Sequence, residues 1–194
     1  MYYLQFILFP IFSLFQSYDW VSFVMVQRSN QNGRTTEVRS LVYFDRESQM
    51  TIRQLFPMDL FIRNNSDGEL LMYNPNTNEV FQMMNFMMSS QQNQFYFFLQ
   101  GKTDDMGLVD LGFELEGSRL EDQLLISTYN APPEVKKYFS KIEMVHEGRK
   151  PIFIGYQDKK GKFLKKVYYY DYLDDLTFMF PGSITEINYL EKKD

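Results

Sequence analysis

Cysteine is missing from this chain altogether, and histidine occurs once, at position 146. Without cysteine there is no disulfide framework, no thiolate metal site, no Cys-His pair and no residue to carry an N-terminal lipid anchor. A single histidine also excludes a multi-histidine metal site. No Gly-x-Ser-x-Gly elbow occurs, and no glycine-rich phosphate loop. Asp104-Asp105, Asp110 and Asp174-Asp175 lack the alternating spacing and fixed glycine of a calcium loop, so turn and cap roles suit them better. We therefore expect no catalytic residue, no metal, no cofactor and no enzymatic activity. Excess positive charge is lacking too: 20 Lys and Arg against 25 Asp and Glu leave a net charge of −5 at pH 7 and a pI near 5.0. There is no global basic field to attract a polyanion, and nucleic acid is not an expected partner.

Aromatic residues, by contrast, are abundant. The chain of 194 residues contains 19 Phe and 14 Tyr, while charged residues hold at 23%. Aromatics favour strands and supply large apolar area, so a packed β-rich domain is expected and disorder is not. The length corresponds to one ordinary domain that buries about two-thirds of its unfolded surface.

Turn signals divide the chain into short strands. Trp20 to Gln27 is a β-prone run, Asn32-Gly33 is a hairpin signal, and Val38 to Phe44 continues with period two. Met50 to Leu55, Asp59 to Ile62, Glu69 to Tyr73 and Glu79 to Met84 follow, separated by Asp67-Gly68 and Asn74-Pro75-Asn76. Gln91 to Leu99 could form a short helix, and Pro132-Pro133-Glu134 could open another running to Phe139. Asp104 to Glu116, broken by glycines, fits a short helix with loops and an irregular hairpin equally well. The C-terminal third returns to strands: Leu124 to Tyr129, Ile142 to His146, Ile152 to Tyr156, Phe163 to Tyr172, Leu176 to Phe180 and Ile184 to Leu190. Together they suggest a strongly curved antiparallel sheet of about 11 strands.

At the N-terminus, Leu4 to Phe15 is apolar and uncharged. It is too short for a bilayer span of about 20 residues and suits the apolar core of a secretory signal. Residues 1–17 are read as that signal and 18–194 as one domain. Two further segments stand out. The methionines around Met83-Met84-Asn85-Phe86-Met87-Met88 are unbranched and polarisable, and either fill an irregular core or adapt to an apolar guest without fixed shape. Lys159-Lys160-Gly161-Lys162, continued by Lys165 and Lys166, marks a basic hairpin that either protects an edge or touches anionic lipid or a partner.

The order of these features resembles the LolA/LolB lipoprotein-carrier family. Arg53 lies in a strand before Pro57, Asp67-Gly68 opens the next hairpin, and Leu71-Met72-Tyr73-Asn74-Pro75 stands where the family has an aromatic-rich Tyr-x-Pro segment. Tyr156-Gln157-Asp158 with Gly161, and Pro181-Gly182-Ser183-Ile184-Thr185, match its last strands. The missing lipobox cysteine points to the soluble LolA-like branch. The resemblance implies a mainly β (α+β) half-open barrel whose short helices cover an apolar cavity. It implies a periplasmic carrier that takes the acyl chains of lipoproteins, or another amphiphilic lipid, toward the outer membrane. An inner-membrane exporter and an outer-membrane acceptor would be its partners, and the carrier itself would be a monomer. On this reading the cavity is lined by Leu55, Leu60, Ile62, Leu71, Tyr73, Met83, Met84, Phe86, Met87 and Met88, and Arg53 is the latch that bonds the helical lid. The alternative is a lipid-sensing or envelope-stress-sensing domain on the same scaffold, since a fold does not dictate a function.

Overall fold

A computed structural model describes residues 20–31, 34–45, 49–84, 89–92, 94–174 and 179–189. Among them are twelve strands, one short α-helix and a 3₁₀ turn. β1 (Trp20–Gln31), β2 (Arg34–Asp45), β3 (Met50–Phe56), β4 (Leu60–Asn64), β5 (Glu69–Asn74) and β6 (Glu79–Met84) form a six-stranded antiparallel meander in chain order. A second six-stranded meander contains β7 (Glu114–Glu121), β8 (Leu124–Asn130), β9 (Lys141–Glu147), β10 (Lys150–Gln157), β11 (Phe163–Asp174) and β12 (Met179–Asn188). The expectation of a mainly β, antiparallel architecture with few helices holds. The strands fall into two sheets: among the described residues no ladder joins β1 to β12 or β6 to β7, and neither sheet closes on itself.

The reversals follow from local hydrogen bonding. Between β4 and β5 the Asn65 side chain accepts from the backbone N–H of Asp67 and Glu69, and Gly68 takes a φ of 84° that suits glycine. Between β10 and β11 the Asp158 carboxylate accepts from the N–H of Lys160 and Lys162. These bonds, that from Lys162 first, hold its pKa below the ordinary carboxylate value. Asn32-Gly33 lies outside the described residues, but its flanking strands pair without a break from Trp20↔Asp45 to Gln31↔Arg34.

The core lies where the two sheets meet α1 (Gln94–Leu99), which a 3₁₀ turn at Ser90–Gln92 precedes. Its sequence, QFYFFL, is apolar nearly all round, which suits a helix packed on several sides. Phe95, Tyr96 and Leu99 pack on Val42, Phe44 and Met50 of the first sheet. Phe97 and Phe98 join Ile142, Met144, Ile154, Val167 and Tyr169 of the second. The Tyr169 hydroxyl donates to Gln94 Oε1 at 3.1 Å and ties the start of α1 to β11. Burial pushes the Tyr169 and Tyr172 phenols well above their ordinary pKa, so both stay neutral donors. The residues after α1 fold over the second sheet as turns that bury Met106, Leu108 and Phe113, and the Asp105 carboxylate accepts from the N–H of Gly107 and Val109.

Two segments differ from the sequence reading. Pro132 to Phe139 makes turns rather than a helix, with Phe139 stacked on Phe113 at 6.0 Å. Pro181-Gly182, which resembles a turn, lies inside β12, with Gly182 facing Asp171 of β11 between the pairs Tyr170↔Ser183 and Tyr172↔Pro181. Asp171 has a φ of 55° and no ladder partner, and a Cβ on Gly182 would lie 2.5 Å from its carbonyl oxygen. Glycine lets the two backbones close at that point.

Candidate functional site

Strand register separates the apolar residues of the first sheet into two faces. Val42 pairs with Ile52, Ile52 with Ile62, Ile62 with Met72 and Met72 with Phe81. Directly paired residues share a face, and residues two apart along a strand do too. Leu60, Ile62, Leu70, Met72, Phe81 and Met83 therefore continue the inner face, the one on which Val42 and Phe44 meet α1. The helix covers only part of it. Val42, Phe44 and Met50 are buried, Leu60, Ile62, Leu70, Met72 and Met83 are half-buried, and Phe81 is 55% exposed. Beyond α1 lies an open cleft of about 450 Å³, lined by Leu60, Met72, Asn74, Glu79 and Phe81 of this face and by Val80, which pairs with Tyr73 and alternates with them. Its size falls in the range of ligand clefts, and its lining is mostly apolar with a few polar groups at one end. There Asn74 pairs with Glu79, whose carboxylate accepts from Thr77 Oγ1 at 2.8 Å.

The residues singled out from the sequence do not all meet here. Leu60, Ile62 and Met83 lie on the inner face. Leu71, Tyr73 and Met84 alternate with them and lie on the outer face, where Phe61 and Tyr73 approach to 6.3 Å between ring centroids. Leu55 is 47% exposed, beside the register shift between β2 and β3. Phe86, Met87 and Met88 lie outside the described residues. The sequence reading missed Leu70, Met72 and Phe81. Period-two alternation carried through the Asp67-Gly68 and Asn74-Pro75-Asn76 turns would have found them.

Arg53 is on the outer face, paired with Leu41 and Phe61. Its guanidinium bonds both Asp59 oxygens at 3.3 Å and lies 5.1 Å from the centre of the Phe61 ring. The hydrogen bond to Asp59 raises its pKa further. These partners are strand and turn residues, on the side of the sheet away from α1.

His146 is buried in the second sheet, with Nε2 2.9 Å from the Thr103 carbonyl oxygen; its Nδ1 has no hydrogen-bond partner. It holds the Thr103 loop in place and is far in the fold from the cleft. Lys165 pairs with Glu186 at 2.8 Å, and the Lys166 ammonium lies over the Phe163 and Tyr189 rings. Among the described residues no group of three or more His, Cys, Asp or Glu side chains could hold a metal ion, and no helix is long and apolar enough to cross a membrane.

No protein-family model matches the sequence, and no curated protein matches it. Solved structures do match the fold. A LolA superfamily protein from Nitrosomonas europaea superposes with a TM-score of 0.56 at 13% identity, over 89% of this chain and 79% of that one. A DUF1329 family protein from Desulfovibrio piger gives 0.55 at 14% identity, over 89% and 80%. An outer membrane lipoprotein-sorting protein domain from Vibrio parahaemolyticus gives 0.52 at 12% identity, over 88% and 77%. The chain has a LolA-like fold.

Proposed function

We propose that this protein is an exported, periplasmic carrier that holds the acyl chains of lipoproteins, or of another amphiphilic lipid, on the inner face of β4, β5 and β6. The observation that carries the reading is the apolar face that α1 leaves uncovered, with its cleft of about 450 Å³. An acyl chain gains about 0.8 kcal/mol per methylene on leaving water, so a groove of Leu, Ile, Met and Phe is sufficient for binding and no catalytic group is needed. Met72 and Met83 can repack around chains of different length and branching. The LolA-like fold and the lipoprotein-sorting description of the Vibrio parahaemolyticus relative support this reading. Residues 1–17 would direct export, and a membrane exporter and acceptor would load and unload the cargo.

Uptake of a fluorescent fatty-acyl probe tests the site. Met72→Asp and Phe81→Asp place a carboxylate on the inner face and should abolish uptake, whereas Leu71→Asp, on the outer face, should leave it intact. Equal loss from all three, or from none, overturns the assignment. A lipid-sensing or stress-sensing domain would bind the probe but not pass it to acceptor vesicles, so a transfer assay separates that alternative from a carrier.

A further inference from the structure

β7 is the outermost strand of the second sheet, and among the described residues it pairs with β8 alone. All eight of its residues are exposed, Leu115 at 55% and Leu120 at 73%. Its unpaired edge offers a row of backbone donors and acceptors to another strand. The register contains a bulge: Leu115 pairs with Tyr129 and Gly117 with Thr128, which leaves Glu116 without a ladder partner. As a result Leu115, Ser118 and Leu120 share one face. Glu116 and Arg119 occupy the other, where Glu116 bonds Lys141 and Arg119 bonds Glu121 at 2.7 Å and lies 3.7 Å from Glu143.

This segment is complementary to itself. When it is laid antiparallel on a second copy about a two-fold axis through Ser118, Gly117 meets Arg119 and, past the bulge, Leu115 meets Leu120. Both pairings occur twice. Each Leu-Leu pair covers two exposed side chains, and on the opposite face Glu116 of each copy comes beside Arg119 of the other. Such an isologous contact satisfies the edges of both sheets at once and joins two six-stranded sheets into one. We propose that β7 is a self-association edge and that its partner is the β7 strand of a second copy of this chain. The surface involved is small, so the dimer is weak and concentration-dependent. The family resemblance implies a monomer instead.

Sedimentation equilibrium of the full chain from micromolar to millimolar concentration is the test. E116R and R119E each convert two attractive contacts into like-charged ones and should each weaken self-association at least about tenfold. Mixed in equal amounts, the two variants should associate again as a heterodimer, because one copy then presents only cations at these positions and the other only carboxylates. Thermal melts would establish that both variants are folded, and L120K, which charges the opposite face, should also block pairing. The proposal is overturned by a wild type that stays monomeric to about 1 mM, as it would if another segment of the chain covered this edge. It is equally overturned by single substitutions without effect or by a mixture that fails to associate.

Discussion

Phe23 of β1 and Phe180 of β12 lie 5.1 Å apart between ring centroids, although their strands belong to different sheets. Phe95 of α1 completes the triangle, 5.2 Å from Phe23 and 5.8 Å from Phe180. No ladder joins β1 to β12 among the described residues, so side-chain packing holds the sheets together at this point. Phe95→Ala would remove the shared ring. A fully buried Phe→Ala change costs about 3–5 kcal/mol, and Phe95 is half-buried. The expected loss is about 2 kcal/mol, read from chemical denaturation, while Leu71→Ala on the outer face should cost under about 1 kcal/mol.

Gly182 and Gly155 should respond differently to the same substitution. A Cβ on Gly182 would lie 2.5 Å from the Asp171 carbonyl oxygen, whereas one on Gly155 would meet ring atoms of Phe163 at 2.3 Å and Phe153 at 2.7 Å. Rings can rotate aside, but a backbone carbonyl held between the paired Tyr170 and Tyr172 cannot. Gly182→Ala is expected to cost about 1–3 kcal/mol and Gly155→Ala clearly less, in a thermal melt of each.

These particulars mark where the sequence could be read and where it could not. β2 to β6 were legible because apolar alternation was interrupted by turns whose chemistry is local, as Asn65 and Gly68 show. β7 was not, since none of its residues is buried and Gly117 interrupts what pattern there is. Pro181-Gly182 reads as a break in the sequence because the close approach to Asp171 that calls for glycine involves a neighbouring strand. The methionine and leucine content of the site was visible, but its division between faces depends on hairpin register. For that reason the sequence pattern groups Leu71 and Met84 with Leu60 and Met83, although they point the opposite way.

Alkaline pH should weaken the fold through its buried phenols. Burial raises the pKa of Tyr169 and Tyr172 in the folded protein, while unfolded tyrosine titrates near about 10. Below that pH both states hold the proton and stability is unaffected. Above it the unfolded chain loses protons that the folded one keeps, so stability falls by up to about 1.4 kcal/mol per pH unit for each such group. Tyr169→Phe should flatten the decline between pH 9 and 11. It should also cost about 1 kcal/mol at neutral pH, through the hydrogen bond lost to Gln94.

Arg53 separates two accounts of how cargo would be released. A latch to the helical lid requires the guanidinium to bond α1, and its loss would slow transfer of an acyl probe to acceptor vesicles. In this structure the guanidinium bonds Asp59 at 3.3 Å and lies over Phe61, with its side chain 44% exposed. Arg53→Leu is expected to change stability by less than about 1 kcal/mol, as for other exposed ion pairs, and to leave probe affinity and transfer rate unaltered. Slower transfer with unchanged folding would restore the latch.

The inner face of β4 to β6 makes its own demand on ligand length. Binding driven by apolar burial should tighten by several-fold for each methylene that remains in the groove, since about 0.8 kcal/mol per methylene corresponds to roughly fourfold in Kd. The gain must stop once a chain is longer than the surface from Leu60 to Phe81 can cover, because further carbons stay in water. A series of saturated fatty acids competed against one fluorescent probe should therefore show affinity that rises and then levels off. Met72→Ala removes apolar wall and is expected to lower the plateau without moving the slope for short chains. Met72→Leu, which keeps volume and hydrophobicity, should restore it. Affinity independent of chain length in the wild type would mean that the probe is held by its head group, and the exposed apolar face would then need another occupant.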